Sequence, residues 1–251
     1  MPNAYEDFSR YYDFLGWNAF ARNAAVRLKS FFRLQRSKSD GSAGPATILD
    51  LACGTGELEK SLKSSGIRFT GIDSSPGMIR QARRKCPGTR FIVADAAGVR
   101  LERKFRMAIL LFDSANHMRS LPHLKSVFRN VRRHLKPGGY FIFDFLTERG
   151  LEEWEHINIK RTGRYTLFSY GYYYPEKMLA DIFIEAFIRI PGKPGKSGGY
   201  HRVFQKIIEK TYPASDIIDG LMKSGFQKIS ATPYDLSEKI EEATRLWFVC
   251  S

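Results

Sequence analysis

The sequence predicts an α/β protein, a doubly wound sheet with helices on both faces, and three observations predict it. Between positions 46 and 146, short apolar runs alternate with helical patterns of roughly 10–15 residues. The first run leads directly into a glycine turn, and the second and third end at Asp73 and Asp95. Beyond Leu146 the pattern changes to long aromatic and β-branched stretches, which mark an antiparallel β insertion between the fifth strand and the last helix.

The elements follow in order. Tyr5 to Leu34 reads as helical, with Phe20, Ala24, Leu28, Phe31 and Phe32 at helical spacing. The polar, glycine-rich stretch from Ser37 to Pro45 reads as a loop. Thr47–Ala52 is a buried strand, Glu57–Ser65 a helix and Arg68–Ile72 a second strand. Ser75–Lys85 is a helix with Pro76 in its first turn. Arg90–Ala94 and Phe105–Phe112 are the third and fourth strands. Leu121–Leu135 is a helix stopped by Pro137-Gly138-Gly139, and Tyr140–Leu146 is the fifth strand. Right-handed crossovers place the C-terminal ends of these strands on one edge, where such sheets bind ligands. Arg161–Tyr174, Met178–Ile190 and Tyr200–Tyr212 read as three inserted strands, separated by Pro175 and by the loop Pro191 to Gly199. Ala214–Ser224 is the last helix, and Phe226–Tyr234 and Thr244–Cys250 form a hairpin-like pair at the sheet edge. The organisation is an N-terminal helical segment (1–45), an α/β core (46–150), the insertion (151–212) and a closing segment (213–251).

The length of 251 residues suits one large domain with an inserted subdomain. With 43% hydrophobic and 26% charged residues, composition excludes a disordered chain. The net charge of +14 is compatible with a solvated basic surface or with a polyanion site. Its clusters, Arg80–Lys85 and Arg129–Lys136, fall on amphipathic helices whose outer faces are ordinarily charged. Three scattered cysteines, Cys53, Cys86 and Cys250, show no zinc spacing; no metal is expected, and reduced thiols point to the cytoplasm. Met1 to Arg10 lacks the apolar region of a signal peptide, and no run is long enough to span a membrane.

The stretch Asp50-Leu-Ala-Cys-Gly-Thr-Gly56 carries the chemistry. It joins a strand to a helix; its glycines let the main chain turn tightly, and the helix start offers free N–H groups to a carboxylate. A dinucleotide turn would want a third glycine where Glu59 stands, and Glu57 would repel a pyrophosphate. A zwitterionic ligand tolerates both. Asp73 can accept from two ribose hydroxyls, or act locally as a helix cap beside Ser74 and Ser75. Asp95 is placed for an adenine amino group, with the Ala96 N–H beside it, and Met78 can cover the ring.

ILDLACGTG, FTGIDSSPGMIRQAR, FIVADAA and HLKPGGYFIFDF together resemble class I S-adenosylmethionine-dependent methyltransferases, with their Rossmann-like seven-stranded sheet. The resemblance implies S-adenosylmethionine as cofactor and S-adenosylhomocysteine as product. It places Asp50, Ala52, Cys53, Gly54 and Gly56 at the amino-acid moiety, Asp73 and Ser74 at the ribose, and Met78, Asp95 and Ala96 at the adenine. Leu111 and Phe112 would lie beneath the sulfonium. The residues after the fourth strand, Asp113-Ser-Ala-Asn-His117, face the transferable methyl; His117 is the candidate base and Asp113 the candidate acceptor-orienting group.

Tyr11-Tyr-Asp-Phe-Leu-Gly-Trp17, FDSANHM and the insertion are similar to small-molecule N-methyltransferases, including sugar N,N-dimethyltransferases. That similarity implies a lid from residues 1–45, with Tyr12 and Trp17 on the cofactor and Tyr11 with His117 on the acceptor. No Asn/Asp-Pro-Pro-Tyr/Phe motif of enzymes acting on nucleobase amines or protein glutamine is present, nor a Pro-Cys dipeptide of cytosine C5 enzymes, which favours a small-molecule acceptor. An RNA or protein methyltransferase is the alternative, using Arg161, Arg164, Tyr170, Tyr172–Tyr174, Lys193 and Lys196 as a basic, aromatic groove. A non-catalytic cofactor-binding protein is the third reading. No membrane partner is expected, and the state is a monomer or a homodimer.

Overall fold

The computed structural model describes residues 5–37, 47–63, 66–192 and 198–251, with side chains of 32–37 excepted. The N-terminal segment forms α1 (Ser9–Leu15) and α2 (Ala19–Ser37). The core follows as β1 (Thr47–Leu51), α3 (Glu57–Leu62), β2 (Arg68–Asp73), α4 (Pro76–Lys85), β3 (Arg90–Val93), β4 (Phe105–Leu110), α5 (Leu121–His134) and β5 (Leu135–Leu146). After the short helix α6 (Glu148–Glu152) come β6 (Asn158–Arg161), β7 (Tyr165–Tyr174), β8 (Leu179–Ile190) and β9 (Gly199–Lys210). The chain closes with α7 (Ala214–Lys223), β10 (Ile229–Pro233) and β11 (Arg245–Cys250).

The main sheet has seven strands in the order β10-β11-β5-β4-β1-β2-β3. β1 to β5 run parallel, β11 runs antiparallel to β5, and β10 antiparallel to β11. Alternation along the strands feeds two cores. Ile48, Ile109 and Ile142 pack with Ala24, Leu28, Leu58 and Leu62 of α2 and α3. Leu49, Leu110, Phe141 and Phe143 pack on the other face with Leu124, Phe128, Ile217 and Leu221 of α5 and α7. The second sheet, β6-β7-β8-β9, is antiparallel throughout. Its inner face, including Leu167, Ile182, Ile184 and Ile207, packs with Phe8 and Leu15 of the N-terminal segment.

Three expectations need correction. The N-terminal helix is broken at Gly16, whose left-handed φ of 95° ends α1; a side chain is disfavoured there. The inserted sheet has four strands, because Thr162 turns the chain between β6 and β7 by accepting the Arg164 and Tyr165 N–H groups. α5 ends at His134, before the Pro137-Gly138-Gly139 stop; those residues lie within β5, at a register irregularity against β4. The closing pair enters as expected at the sheet edge, with β11 antiparallel beside β5, so the seven-stranded sheet is mixed. Most of the Ser37–Pro45 loop, the end of the Glu57–Ser65 helix, and Lys193 and Lys196 lie outside the described residues. Among the described residues no helix is long and apolar enough to cross a membrane.

Candidate active site

The C-terminal ends of β1 to β4 open on a cavity of about 230 Å³. Its glycine turn is left-handed at Ala52 (φ 55°), Gly54 (φ 55°) and Gly56 (φ 73°). A Cβ at Gly54 would meet nothing within 4 Å, so the main chain there is open to a ligand. At Gly56 a Cβ would come within 3.1 Å of Ala82, so this glycine lets α4 pack closely on the turn.

Asp73 ties the second strand to the turn. Its Oδ2 accepts from Gly54 N at 2.9 Å and its Oδ1 from Ser75 N at 2.8 Å. Burial raises its pKa against the pull of those hydrogen bonds. The helix cap is Ser75, whose Oγ accepts from Met78 N at 3.2 Å. Asp73 lines the cavity and retains lone pairs for hydroxyls. Asp95 accepts from Ala97 N at 2.8 Å and stands 3.2 Å from both His123 and Arg119. Burial opposes its ionisation, but the Ala97 hydrogen bond, His123 and Arg119 together hold its pKa below the usual value.

Ala52, Cys53, Ser74, Met78, Ala96 and Phe112 also line this cavity. Asp50, Gly56 and Leu111 do not. Leu111 is buried in the α2-side core. Asp50 lies beneath the turn near Glu59; burial and that neighbouring carboxyl push its pKa well up. Burial likewise raises Glu59 to about 7, against the pull of hydrogen bonds with the backbone and with Asp50. Glu57, read from sequence as a repulsive charge, is paired with Lys85 at 2.9 Å.

The N-terminal segment brings Tyr5, Tyr12 and Trp17 to the cavity. Two acidic residues, Glu6 and Asp13, hold it. Glu6 accepts from Gly77 N at 2.6 Å and pairs with Arg80. Asp13 accepts from Thr55 Oγ1 at 2.7 Å and pairs with Lys85 at 2.5 Å. Trp17 Nε1 is buried with no hydrogen-bond partner among the described residues. An open glycine cradle, a buried carboxylate and an unused N–H donor fit a ligand bearing both ribose and carboxylate.

A second cavity of about 170 Å³ adjoins the first, sharing Tyr5, Tyr12, Trp17, Phe112 and His117. Phe112 (φ 64°) and Asp113 (φ 51°) are both left-handed, an arrangement that needs support. Asp144, fully buried, supplies it by accepting from Phe112 N at 2.7 Å and Asp113 N at 3.0 Å. Arg245 pairs with Asp144 and stands 3.2 Å from Asp113. Burial works against the Arg245 charge, yet the two carboxylates raise its pKa. Burial also opposes Asp113 ionisation, which Arg245 and His117 overcome to hold its pKa low.

His117 Nε2 lies 3.3 Å from the Tyr5 hydroxyl and 3.6 Å from Glu209 Oε1. Burial lowers the His117 pKa, partly offset by Asp113 and by a hydrogen bond with the Ile208 backbone. Glu209 is pushed up by burial and by Asp113, and its Oε2 has no hydrogen-bond partner. Ligand atoms of Asp113, His117 and Glu209 lie within 4.8 Å of one another. Tyr11 lines neither cavity; its hydroxyl meets His201 at 2.8 Å, and the hydroxyl beside His117 is that of Tyr5. Tyr5, Asp144, Glu209 and Arg245 escaped sequence reasoning. Signals pointed to two of them: Asp144 is an acid inside an apolar strand, and Glu209 shares its strand face with Ile207 and Val203.

Residues 48–139 match a family model described as a methyltransferase domain. The chain is 38% identical over 99 residues to a trans-aconitate 2-methyltransferase of Methylobacterium nodulans, covering 39% of this chain and 37% of that protein. It is 29% identical over 123 residues to a dTDP-3-amino-3,4,6-trideoxy-alpha-D-glucopyranose N,N-dimethyltransferase of Streptomyces venezuelae, covering 47% of this chain and 52% of that protein. The matches span about two fifths to one half of these relatives' lengths. A solved S-adenosylmethionine-dependent methyltransferase from Clostridium acetobutylicum shares the fold, with TM-score 0.77, 22% identity and 99% of each chain covered. Residues 48–139 thus match a methyltransferase domain, and the chain shares its fold with a solved S-adenosylmethionine-dependent methyltransferase.

Proposed function

We propose that the protein transfers a methyl group from S-adenosylmethionine to an amine nitrogen of a small molecule. The observation that carries this reading is the pair of joined cavities, the second holding a neutral histidine among carboxyl groups. The bound cofactor supplies an electrophilic methyl group. The Gly54 main chain, Asp73, Asp95 and the Trp17 N–H hold it, and the N-terminal segment acts as its lid. His117 Nε2 takes a proton from the acceptor nitrogen, which must be unprotonated to attack. Asp113 orients the amine, and Phe112 separates the two rooms.

The printed names of the relatives include both an amino-sugar and an aconitate enzyme. The carboxyl-lined chamber disfavours an anion such as aconitate and favours the amine. An RNA groove is less well supported. Tyr172 stands exposed, whereas Tyr173 is buried. Of the groove cations, Arg164 lies over the Phe14 ring, 4.9 Å from its centroid, and so is engaged within the protein. Buried free thiols suit the cytoplasm.

The test is calorimetric titration with S-adenosylmethionine and S-adenosylhomocysteine, followed by methyl transfer to an amine panel. Binding by the wild type, its loss in Asp73→Ala and methylation of an amine are expected. Absence of cofactor binding by folded protein would overturn the proposal, and transfer to RNA alone would replace its acceptor.

A further inference from the structure

We infer that the second chamber is a binding site for a protonated organic amine with a compact apolar skeleton, recognised by the carboxyl groups of Glu209 and Asp113. The inference rests on the methyl-transfer reading for its biological use, while its test reads binding alone. Glu209 reaches the chamber from β9, so the inserted sheet joins the core residue Asp113 in selecting the acceptor.

Three observations lead there. First, the Glu209 side chain is buried and its Oε2 has no hydrogen-bond partner. An unused acceptor in a buried site costs free energy that a donor-bearing ligand recovers. Second, the charges do not balance. Arg245 carries one positive charge against the carboxylates of Asp144 and Asp113, and His117 is neutral. The cluster therefore has one negative charge in excess when Glu209 is protonated, and two when it is ionised. Third, the rest of the lining is apolar or aromatic, including Phe8, Phe20, Trp154, Ile182 and Ile207. Such walls accept a carbon skeleton, and aromatic faces attract a cation.

The spacing of Asp113, His117 and Glu209 would also suit a divalent metal ion. The Arg245 guanidinium, 3.2 Å from an Asp113 oxygen, argues against that occupant. It repels two positive charges more than one, and it already occupies one face of the carboxylate. A substituted ammonium carries a single charge, donates hydrogen bonds, and brings the carbon atoms that the apolar walls require.

The experiment titrates the full chain, saturated with S-adenosylhomocysteine, with cyclohexylammonium chloride, cyclohexanol and manganese chloride. Tryptophan fluorescence reports binding, since Trp17 and Trp154 line the chamber. The ammonium is expected to bind at least tenfold more tightly than the alcohol. Glu209→Leu should remove most of that preference, and Glu209→Gln, which keeps an acceptor oxygen, should remove less. Retained S-adenosylhomocysteine binding certifies that each variant is folded, and the wild-type ammonium-to-alcohol ratio needs no variant. Equal binding of ammonium and alcohol, an unchanged preference in folded Glu209→Leu, or no binding of either probe would overturn the inference. Manganese binding that displaces the ammonium and depends on Glu209 would also overturn it, in favour of a metal site. These outcomes leave the methyl-transfer reading standing, whereas failure of the wild type to bind S-adenosylhomocysteine would strike that reading instead.

Discussion

His117 and Glu59 show how burial sets chemistry at single residues. Burial disfavours the imidazolium, so His117 keeps its proton-accepting form at lower pH than an exposed histidine. Because the neutral form is the active one, the rate should rise with pH, with a midpoint below the ordinary histidine value of 6.5. Asp113→Asn removes the charge that favours imidazolium and should move that midpoint lower still. A pH–rate profile checks both, and His117→Asn should lower kcat by about 10²–10⁴. For Glu59 the sign is opposite in consequence. Its folded pKa of about 7 exceeds its ordinary 4.5. The folded state therefore holds the proton longer, and stability falls as pH rises from 4.5 to about 7. Glu59→Gln should relieve a penalty on the order of 3 kcal/mol at pH 8 and little at pH 4. Thermal melts of both proteins at the two pH values measure it.

At the scale of elements, the glycine turn and the N-terminal helix pair act on the same cavity from opposite sides. Gly54→Val would place a branched side chain in the open cradle and force it to a left-handed φ, at about 1–2 kcal/mol. Cofactor binding should disappear while the fold persists, which calorimetry beside a melt distinguishes. Asp13→Ala removes the contacts with Thr55 and Lys85 that pin the first helix. It should speed cofactor release several-fold in stopped-flow fluorescence; an unchanged rate would mean that this contact does not hold the lid. The turn was legible in sequence because glycine spacing is a local backbone requirement. The break at Gly16 was less so, because the apolar spacing continues across it.

At the scale of the molecule, Asn116 joins the two sheets. Its Oδ1 accepts from Leu146 N at 2.9 Å, and its Nδ2 donates to Leu146 O at 3.0 Å and Lys210 O at 2.8 Å. Lys210 N returns a bond to Asn116 O at 2.8 Å. The main sheet thereby fixes the register of Glu209, one residue away. Asn116→Ala strands buried backbone groups and should cost about 3 kcal/mol, roughly 10 °C of melting temperature. It should also raise KM for the amine more than it weakens cofactor binding, since the loosened strand carries the acceptor-side carboxyl.

The α/β core, the glycine turn and the strand-end aspartates Asp73 and Asp95 are legible in the chain itself. Each depends on periodicity or on a local backbone demand, and such demands are written in neighbouring residues. The meeting of Tyr5, and not Tyr11, with His117, the Ser75 cap beside Asp73, and the approach of Glu209 and Arg245 to Asp113 come from packing. Those groups come from positions as distant as 5, 113, 209 and 245. Burial and charge at such a site depend on which strands become neighbours, and no local pattern encodes that choice.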